Sequence, residues 1–253
     1  MSIYSMIADF AIKLSKGVEN FVGYADIYKK QRESICLPEG FTVTAHAGAL
    51  NTQPNTVRSL KAAIDSGVDI IEIDLSFRPD GVPVMIHKER PTAAQGVFFS
   101  NGLAQAAMHK SVGINIDLKC FDADFLPVVQ SMLEGFSLSE RAFFTGVEFK
   151  SLNAVKACCP NIRYYINCKF DSKKNNREYL EELAARVRDC GALGINIPYS
   201  SSSRLLCEIF HSFGLKVSVW TVNKKPLMLT ILSHSPDNIT TKKPQLLLDL
   251  IAK

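Results

Sequence analysis

The sequence predicts a single α/β domain of the (β/α)8 TIM-barrel type. Three observations carry this. The chain has 253 residues, a length that suits one such barrel. From residue 42 onward, short β-branched runs alternate with amphipathic helical segments, the pattern of a parallel sheet with crossover helices. The strand candidates number eight: Thr42–His46, Asp69–Leu75, Gly113–Leu118, Ala142–Thr145, Arg163–Ile166, Gly194–Ile197, Lys216–Val222 and Asn238–Thr241.

The intervening helices carry their own start and stop signals. Asn55 is placed to cap a helix with Val57, Leu60 and Ile64 on one face, stopped by Gly67. Another starts near Asn176, turns Leu180, Leu183 and Val187 inward and ends at Gly191. A third starts near Ser203, buries Leu206, Ile209, Phe210 and Phe213 and stops at Gly214.

One segment departs from the repeat. After Asp69–Leu75 comes the turn Arg78-Pro79-Asp80-Gly81 and a second strand-like run, Val82–His87. Too few residues separate the two runs for a helical crossover, so they must pair antiparallel. With the turn centred near Asp80, this ribbon extends the second barrel strand beyond its top. His87 then falls within a residue of lying opposite Asp74.

The whole of 1–253 is expected to be one domain, with a helical extension over residues 1–38 and a short cap insertion at 88–111. In the extension Ile3, Ile7, Phe10, Leu14, Val18 and Phe21 recur at helical spacing. That describes an amphipathic helix packed across the bottom or side of the barrel, with membrane-surface attachment or dimerisation as alternatives. Asp9, Lys13, Lys16 and Glu19 interrupt any secretory apolar region, and no apolar run is long enough to span a bilayer. Cys36, Cys120, Cys158, Cys159, Cys168, Cys190 and Cys207 form an odd set without a CxxC pair or zinc-like histidine spacing. They read as reduced structural thiols, and the expected location is cytoplasmic. The formal charge of +4 is spread along the chain, so no nucleic-acid partner is expected.

Barrel enzymes place their chemistry at the C-terminal ends of the strands, where the loops converge. Those ends hold His46, then Glu72 and Asp74, then Asp117 and Lys119. Within each pair the spacing is two, so both members face the barrel interior, and neighbouring strands aim three carboxylates at one point. Such a cluster is costly to desolvate without a positive partner. A hard divalent cation, Mg²⁺ or Ca²⁺, matches the all-oxygen donor set of Glu72, Asp74 and Asp117; the alternative is an ion-pair network with Lys119 that caps the core. His46 and His87, arriving at the same rim, form a possible acid/base pair. His109, His211 and His234 lack an acidic partner pattern.

The run His46-Ala47-Gly48, Pro54-Asn55-Thr56, Glu72-Ile73-Asp74 and Asp80-Gly81-Val82-Pro83-Val84-Met85-Ile86-His87 resembles the signature of the glycerophosphodiester phosphodiesterase family. The likeness continues through Asn115-Ile116-Asp117-Leu118-Lys119, Gly214-Leu215-Lys216-Val217, Val219-Trp220-Thr221-Val222-Asn223 and Ile239-Thr240-Thr241, to Pro244. The resemblance implies metal-dependent hydrolysis of a small-molecule phosphodiester of glycerol or a similar alcohol. It implies His46 and His87 as the two essential histidines, Glu72, Asp74 and Asp117 as metal ligands, Lys119 as a phosphate contact and Trp220 as a substrate contact near the pocket mouth. Four positions depart from the family pattern. Ala47 stands where an arginine is usual, Gln53 where a glutamate is usual, Lys88 where an aspartate is usual, and Asp117 where glutamate is the more frequent ligand. The segment between His87 and Asp117 is also shorter than the family's usual cap. Two other readings keep the same barrel: a sphingomyelinase D or phospholipase D-like phosphodiesterase, and a barrel that binds phosphate esters with weak or no turnover.

Overall fold

The computed structural model describes residues 35–170 and 175–252. The helical pattern expected between Ile3 and Phe21 lies outside them. From Leu37 onward the described residues form one compact unit.

Ten strands follow in chain order: β1 (Thr42–Ala45), β2 (Ile70–Phe77), β3 (Pro83–Met85), β4 (Val97–Phe98), β5 (Gly113–Leu118), β6 (Ala142–Thr145), β7 (Arg163–Asn167), β8 (Gly194–Pro198), β9 (Lys216–Trp220) and β10 (Asn238–Thr241). Eight of these pair in parallel in the order β1, β10, β9, β8, β7, β6, β5, β2, and a β1–β2 pairing closes the ring. One helix follows each barrel strand: α1 (Val57–Asp65), α2 (Phe99–Ala107), α3 (Leu126–Gly135), α4 (Leu152–Cys158), α5 (Arg177–Asp189), α6 (Arg204–Ser212), α7 (Lys225–Leu232) and α8 (Pro244–Ile251). This is the (β/α)8 barrel that the alternation predicts.

Strand alternation sorts the side chains into two layers. Ile71, Ile73 and Leu75 of β2, Ile114 and Ile116 of β5, and Ile195 and Ile197 of β8 are completely buried on the face turned toward the helices. Each such side chain contributes about 1.5–3 kcal/mol relative to exposure. The helices answer with Leu60 and Ile64 of α1, Leu180, Leu183 and Val187 of α5, and Leu206, Ile209 and Phe210 of α6. The opposite, interior-facing positions are polar: Thr44, Glu72, Asp74, Asn115, Thr145, Asn196, Ser218, Asn238 and Thr240 are all buried. A row of paired positions, Asn167↔Asn196, Asn196↔Ser218, Ser218↔Asn238 and Asn238↔Thr42, steps down through the barrel from the mouth end of β7 to the start of β1. Gly194 is required where β8 and β9 approach, because a Cβ there would sit 1.8 Å from Lys216 O.

Helix starts follow the sequence signals with one correction. Asn176 Oδ1 accepts from Tyr179 N at 3.1 Å, and Ser203 Oγ accepts from Leu206 N at 3.1 Å. In α1, however, the cap is Thr56, whose hydroxyl accepts from Ser59 N at 3.1 Å. Asn55 has a left-handed φ of 58°, a region that asparagine tolerates better than most residues, and its side chain is directed elsewhere.

The ribbon after β2 takes the predicted register, with Leu75↔Met85, Ser76↔Val84 and Phe77↔Pro83. The pairing continues toward the barrel through Ile86 N donating to Asp74 O at 2.9 Å. β4 adds a third antiparallel strand on β3. Arg78 locks it by donating to Gln95 O at 2.9 Å and Gly96 O at 3.0 Å, with its guanidinium over the Phe98 ring. The segment 88–111 thus contributes β4 and the crossover helix α2, which buries Phe99, Leu103 and Ala106.

Candidate active site

The strand ends of β1, β2 and β5 bring six chemically active side chains together. His46 directly follows β1, held by His46 N donating to Thr241 O at 2.9 Å. Glu72 and Asp74 lie two apart on β2, and Asp117 on β5 is the register partner of Asp74. Lys119 continues the β5–β2 ladder through its backbone N to Leu75 O at 2.9 Å. His87 returns on the ribbon.

One carboxylate oxygen from each of Glu72, Asp74 and Asp117 lies within 4.8 Å of the others. Lys119 Nζ sits 3.0 Å from Asp74 Oδ1 and also donates to Asp117 Oδ2. His87 Nδ1 is 3.1 Å from Asp74 Oδ1. A carboxylate can only accept, so this nitrogen carries the proton and His87 Nε2 is free at the exposed mouth. His46 Nδ1 is 2.8 Å from Ala47 O. A carbonyl likewise only accepts, which leaves the lone pair of neutral His46 on Nε2, 3.8 Å from Glu72 Oε1.

The electrostatics are unbalanced in one direction. Glu72 is 6% exposed, and burial, then the carboxylates of Asp117 and Asp74, push its pKa well above the usual glutamate range. Burial also acts on Asp74, but Lys119, Asn55 and His87 outweigh it and hold this carboxyl below its ordinary value. Lys119 is desolvated too, yet Asp117 and Asp74 keep its ammonium more firmly protonated than usual. Burial lowers the His46 imidazole, with Lys242 adding to the effect. At 3.8 Å the two shifts run against a charged His46–Glu72 pair, since burial disfavours the charged form of each partner. One ammonium against three carboxylates leaves the cluster short of positive charge, and the donors are all hard oxygens. This set fits a divalent cation held by Glu72, Asp74 and Asp117.

Asn55 is the site residue that sequence reasoning assigned to another task. It is 6% exposed; its Nδ2 donates to Asp74 Oδ2 at 2.7 Å, and its Oδ1 accepts from Asp74 N at 3.0 Å. The signal available beforehand was only its place in the Pro54-Asn55-Thr56 run. Gly146 was also missed. It has a φ of 79°, and a Cβ there would lie 2.7 Å from Asp117 Oδ1 and 2.4 Å from Leu118 O.

All of this opens on a cavity of about 400 Å³ lined by His46, Glu72, His87, Asp117 and Lys119. Asn115, the register partner of Glu72, and Thr145, Asn167, Asn196, Trp220 and Thr240 complete the wall. Trp220 ends β9 on this wall, and its indole N–H is buried with no acceptor among the described residues. An adjoining groove of about 510 Å³ leads outward past Lys88, Arg90 and Lys150. Gly96, Val97, Phe98 and Phe99 of the short cap segment line neither cavity.

Residues 46–97 match the model of the glycerophosphoryl diester phosphodiesterase family. Over 244 residues the chain is 25% identical to a glycerophosphodiester phosphodiesterase of Caldanaerobacter subterraneus subsp. tengcongensis, covering 83% of this chain and 98% of that protein. The fold is similar to that of an Oleispira antarctica phosphodiesterase solved with its product sn-glycerol-3-phosphate, with a TM-score of 0.71, 20% identity, and 85% and 97% of the two chains covered. It is also similar to a glycerophosphodiester phosphodiesterase of Agrobacterium tumefaciens, with a TM-score of 0.66, 16% identity, and 83% and 99% covered. The matched stretch carries His46, Glu72, Asp74 and His87, four of the six side chains that the barrel assembles at one point, so the chain is similar to the glycerophosphodiester phosphodiesterase family where its site is built.

Proposed function

We propose that this chain is a metal-dependent phosphodiesterase that hydrolyses glycerophosphodiesters, or diesters of a similar alcohol, to an alcohol and a phosphomonoester. The observation that carries the reading is the meeting of two imidazoles with a three-carboxylate cluster in one cavity, His46 Nε2 at 3.8 Å from Glu72 and His87 Nδ1 at 3.1 Å from Asp74. Glu72, Asp74 and Asp117 would hold Mg²⁺ or Ca²⁺, which supplies charge to neutralise phosphoryl oxygens and to acidify a nucleophilic hydroxyl.

The protein's own groups divide the proton transfers. His46 Nε2, with its lone pair directed away from the Ala47 carbonyl, accepts the proton of the attacking hydroxyl. His87 Nε2 delivers a proton to the departing alkoxide, and Asp74 at Nδ1 orients the ring for this step. Lys119 has two of its three N–H groups on Asp74 and Asp117; the third meets a phosphate oxygen. Trp220 packs against the alcohol. Among the described residues no helix is long and apolar enough to cross a membrane, in keeping with a small-molecule substrate and a cytoplasmic location.

The test is hydrolysis of glycerophosphocholine after removal of divalent ions with EDTA and after restoring Mg²⁺ or Ca²⁺. Activity should disappear and return. Hydrolysis that persists undiminished in EDTA, or none under any metal, refutes the reading.

A further inference from the structure

The barrel has a second opening at the end away from the carboxylates. A cavity of about 290 Å³ lies there, at the N-terminal ends of the strands, and Gly113, Arg141, Phe143, Arg163, Tyr165 and Lys216 line it. Tyr165 sits two positions below Asn167 on β7 and takes the same interior face. Its register partner is Gly194, which is in turn the partner of Lys216. No side chain on the intervening strand therefore separates the phenol from the lysine. The buried polar layer of Asn115, Asn196, Ser218 and Asn238 lies above, and this cavity shares no lining residue with the one at the mouth.

Tyr165 is 6% exposed, with its ring edge-on to Phe143 at a centroid distance of 5.3 Å. Its hydroxyl has no hydrogen-bond partner among the described residues. Among those residues, the buried side-chain atoms that lack a partner and are sealed from solvent are Ser139 Oγ and Trp220 Nε1. The Tyr165 hydroxyl therefore opens on the cavity that the residue lines. Burial, then the carboxylate of Asp237, push this phenol above the usual tyrosine range and outweigh Arg163, so it keeps its proton. A buried O–H donor is costly when unmet and calls for an acceptor.

The charges around the phenol call for the same kind of partner. Arg141, Arg163 and Lys216 line the cavity against one carboxylate, Asp237. Asp237 Oδ2 is already engaged, 2.8 Å from His211 Nε2 and accepting from Val217 N at 2.7 Å. Arg141 Nη1 donates to the carbonyls of His109 and Val112, and Arg163 Nη2 to that of Glu140, contacts that orient the guanidinium groups without neutralising them. None of the three cations has a carboxylate within ion-pair distance among the described residues. This balance opposes a cation and favours an anion of more than one charge. The donors approach from β7, from β9 and from the turn before β6, which suits a tetrahedral oxyanion better than a planar carboxylate. A phosphate group accepts through every free oxygen and carries about −1.5 to −2 charges near neutral pH.

We propose that Arg141, Arg163, Tyr165 and Lys216 form a second phosphate-binding site at the bottom of the barrel, for inorganic phosphate or the phosphate group of a small monoester. The site is separate from the carboxylate cluster and stands whether or not the mouth hydrolyses diesters.

The test is calorimetric titration of inorganic phosphate and of glycerol 3-phosphate into the metal-stripped full chain in about 0.15 M KCl. Under these conditions no metal draws phosphate to the mouth and diffuse surface attraction is screened. At least one of the two ligands should bind with a dissociation constant of about 1 mM or tighter; inorganic phosphate alone assigns the site to the free ion, glycerol 3-phosphate alone to an ester. Tyr165→Phe keeps the ring against Phe143 and deletes only the hydroxyl, and it should weaken that binding about tenfold, the loss expected for a hydrogen bond to a charged group. Lys216→Met should weaken it by about fivefold or more, and because it alters an exposed side chain it carries the test should Tyr165→Phe fail to fold. Lys119→Met, at the mouth, should leave it within about twofold. Absence of binding by both ligands, unchanged affinity in the folded Tyr165 and Lys216 variants, loss of binding in Lys119→Met instead, or acetate binding as tightly as phosphate overturns the proposal.

Discussion

The two sides of the barrel mouth obey the same alternation rule and reach opposite chemistry. On β1, β2 and β5 the interior positions are His46, Glu72, Asp74 and Asp117, with Lys119 alone supplying fixed positive charge. On β7 and β8 they are Asn167 and Asn196, which bond to each other and to the Gly146 backbone. The charged side is out of balance: burial, then the carboxylates of Asp117 and Asp74, push Glu72 well above the usual glutamate range. The amide side is nearly self-contained. A group that is costly until a cation or a reacting phosphate arrives suits chemistry; a group already held in place and uncharged suits recognition.

The comparison breaks most visibly at the histidines. His46→Ala and His87→Ala should each lower kcat on a glycerophosphodiester by at least about a hundredfold, the low end for losing a general acid or base. Wild-type kcat in either variant would move that histidine out of the reaction.

A smaller effect is expected where the charged side is held in shape by an amide. Asn55→Gly keeps the left-handed backbone and the Thr56 cap but removes both hydrogen bonds to Asp74. Loss of such an outer partner should cost about ten- to hundredfold in divalent-ion affinity, read by titration calorimetry. An affinity within twofold of the original would show that Asp74 is positioned by the strand alone.

The smallest expected effect lies between the two sides. In Gly146→Ala the new methyl would have to crowd Asp117 and the Leu118 carbonyl from a left-handed backbone. A loss of about 1–2 kcal/mol in urea unfolding is expected, and an unchanged midpoint would mean that the loop relaxes without strain.

The barrel, its eight strands and the β2–β3 register were legible in the sequence because period-two alternation and a turn too short for a helix leave few solutions. The same alternation gathered the three carboxylates. It did not reveal Asn55, because an asparagine just ahead of a helix reads as a cap; its left-handed φ passes that task to Thr56 and turns its side chain to Asp74. Nor could it show which ends of Asn167 and Asn196 meet, since that depends on partners twenty to thirty residues away, such as Gly146 N on Asn167. Spacing tells which face a side chain takes. It does not tell what that side chain lacks.

The central claim is that the charged side holds a divalent cation through Glu72, Asp74 and Asp117. Its most direct test is calorimetric titration of Mg²⁺ and Ca²⁺ into the unmodified protein and into Glu72→Gln, a substitution that keeps the side-chain volume and removes the charge. The unmodified protein should bind one of the two ions, and the variant should lose more than about a hundredfold in affinity while melting as a folded protein. The same affinity in both proteins would contradict the account.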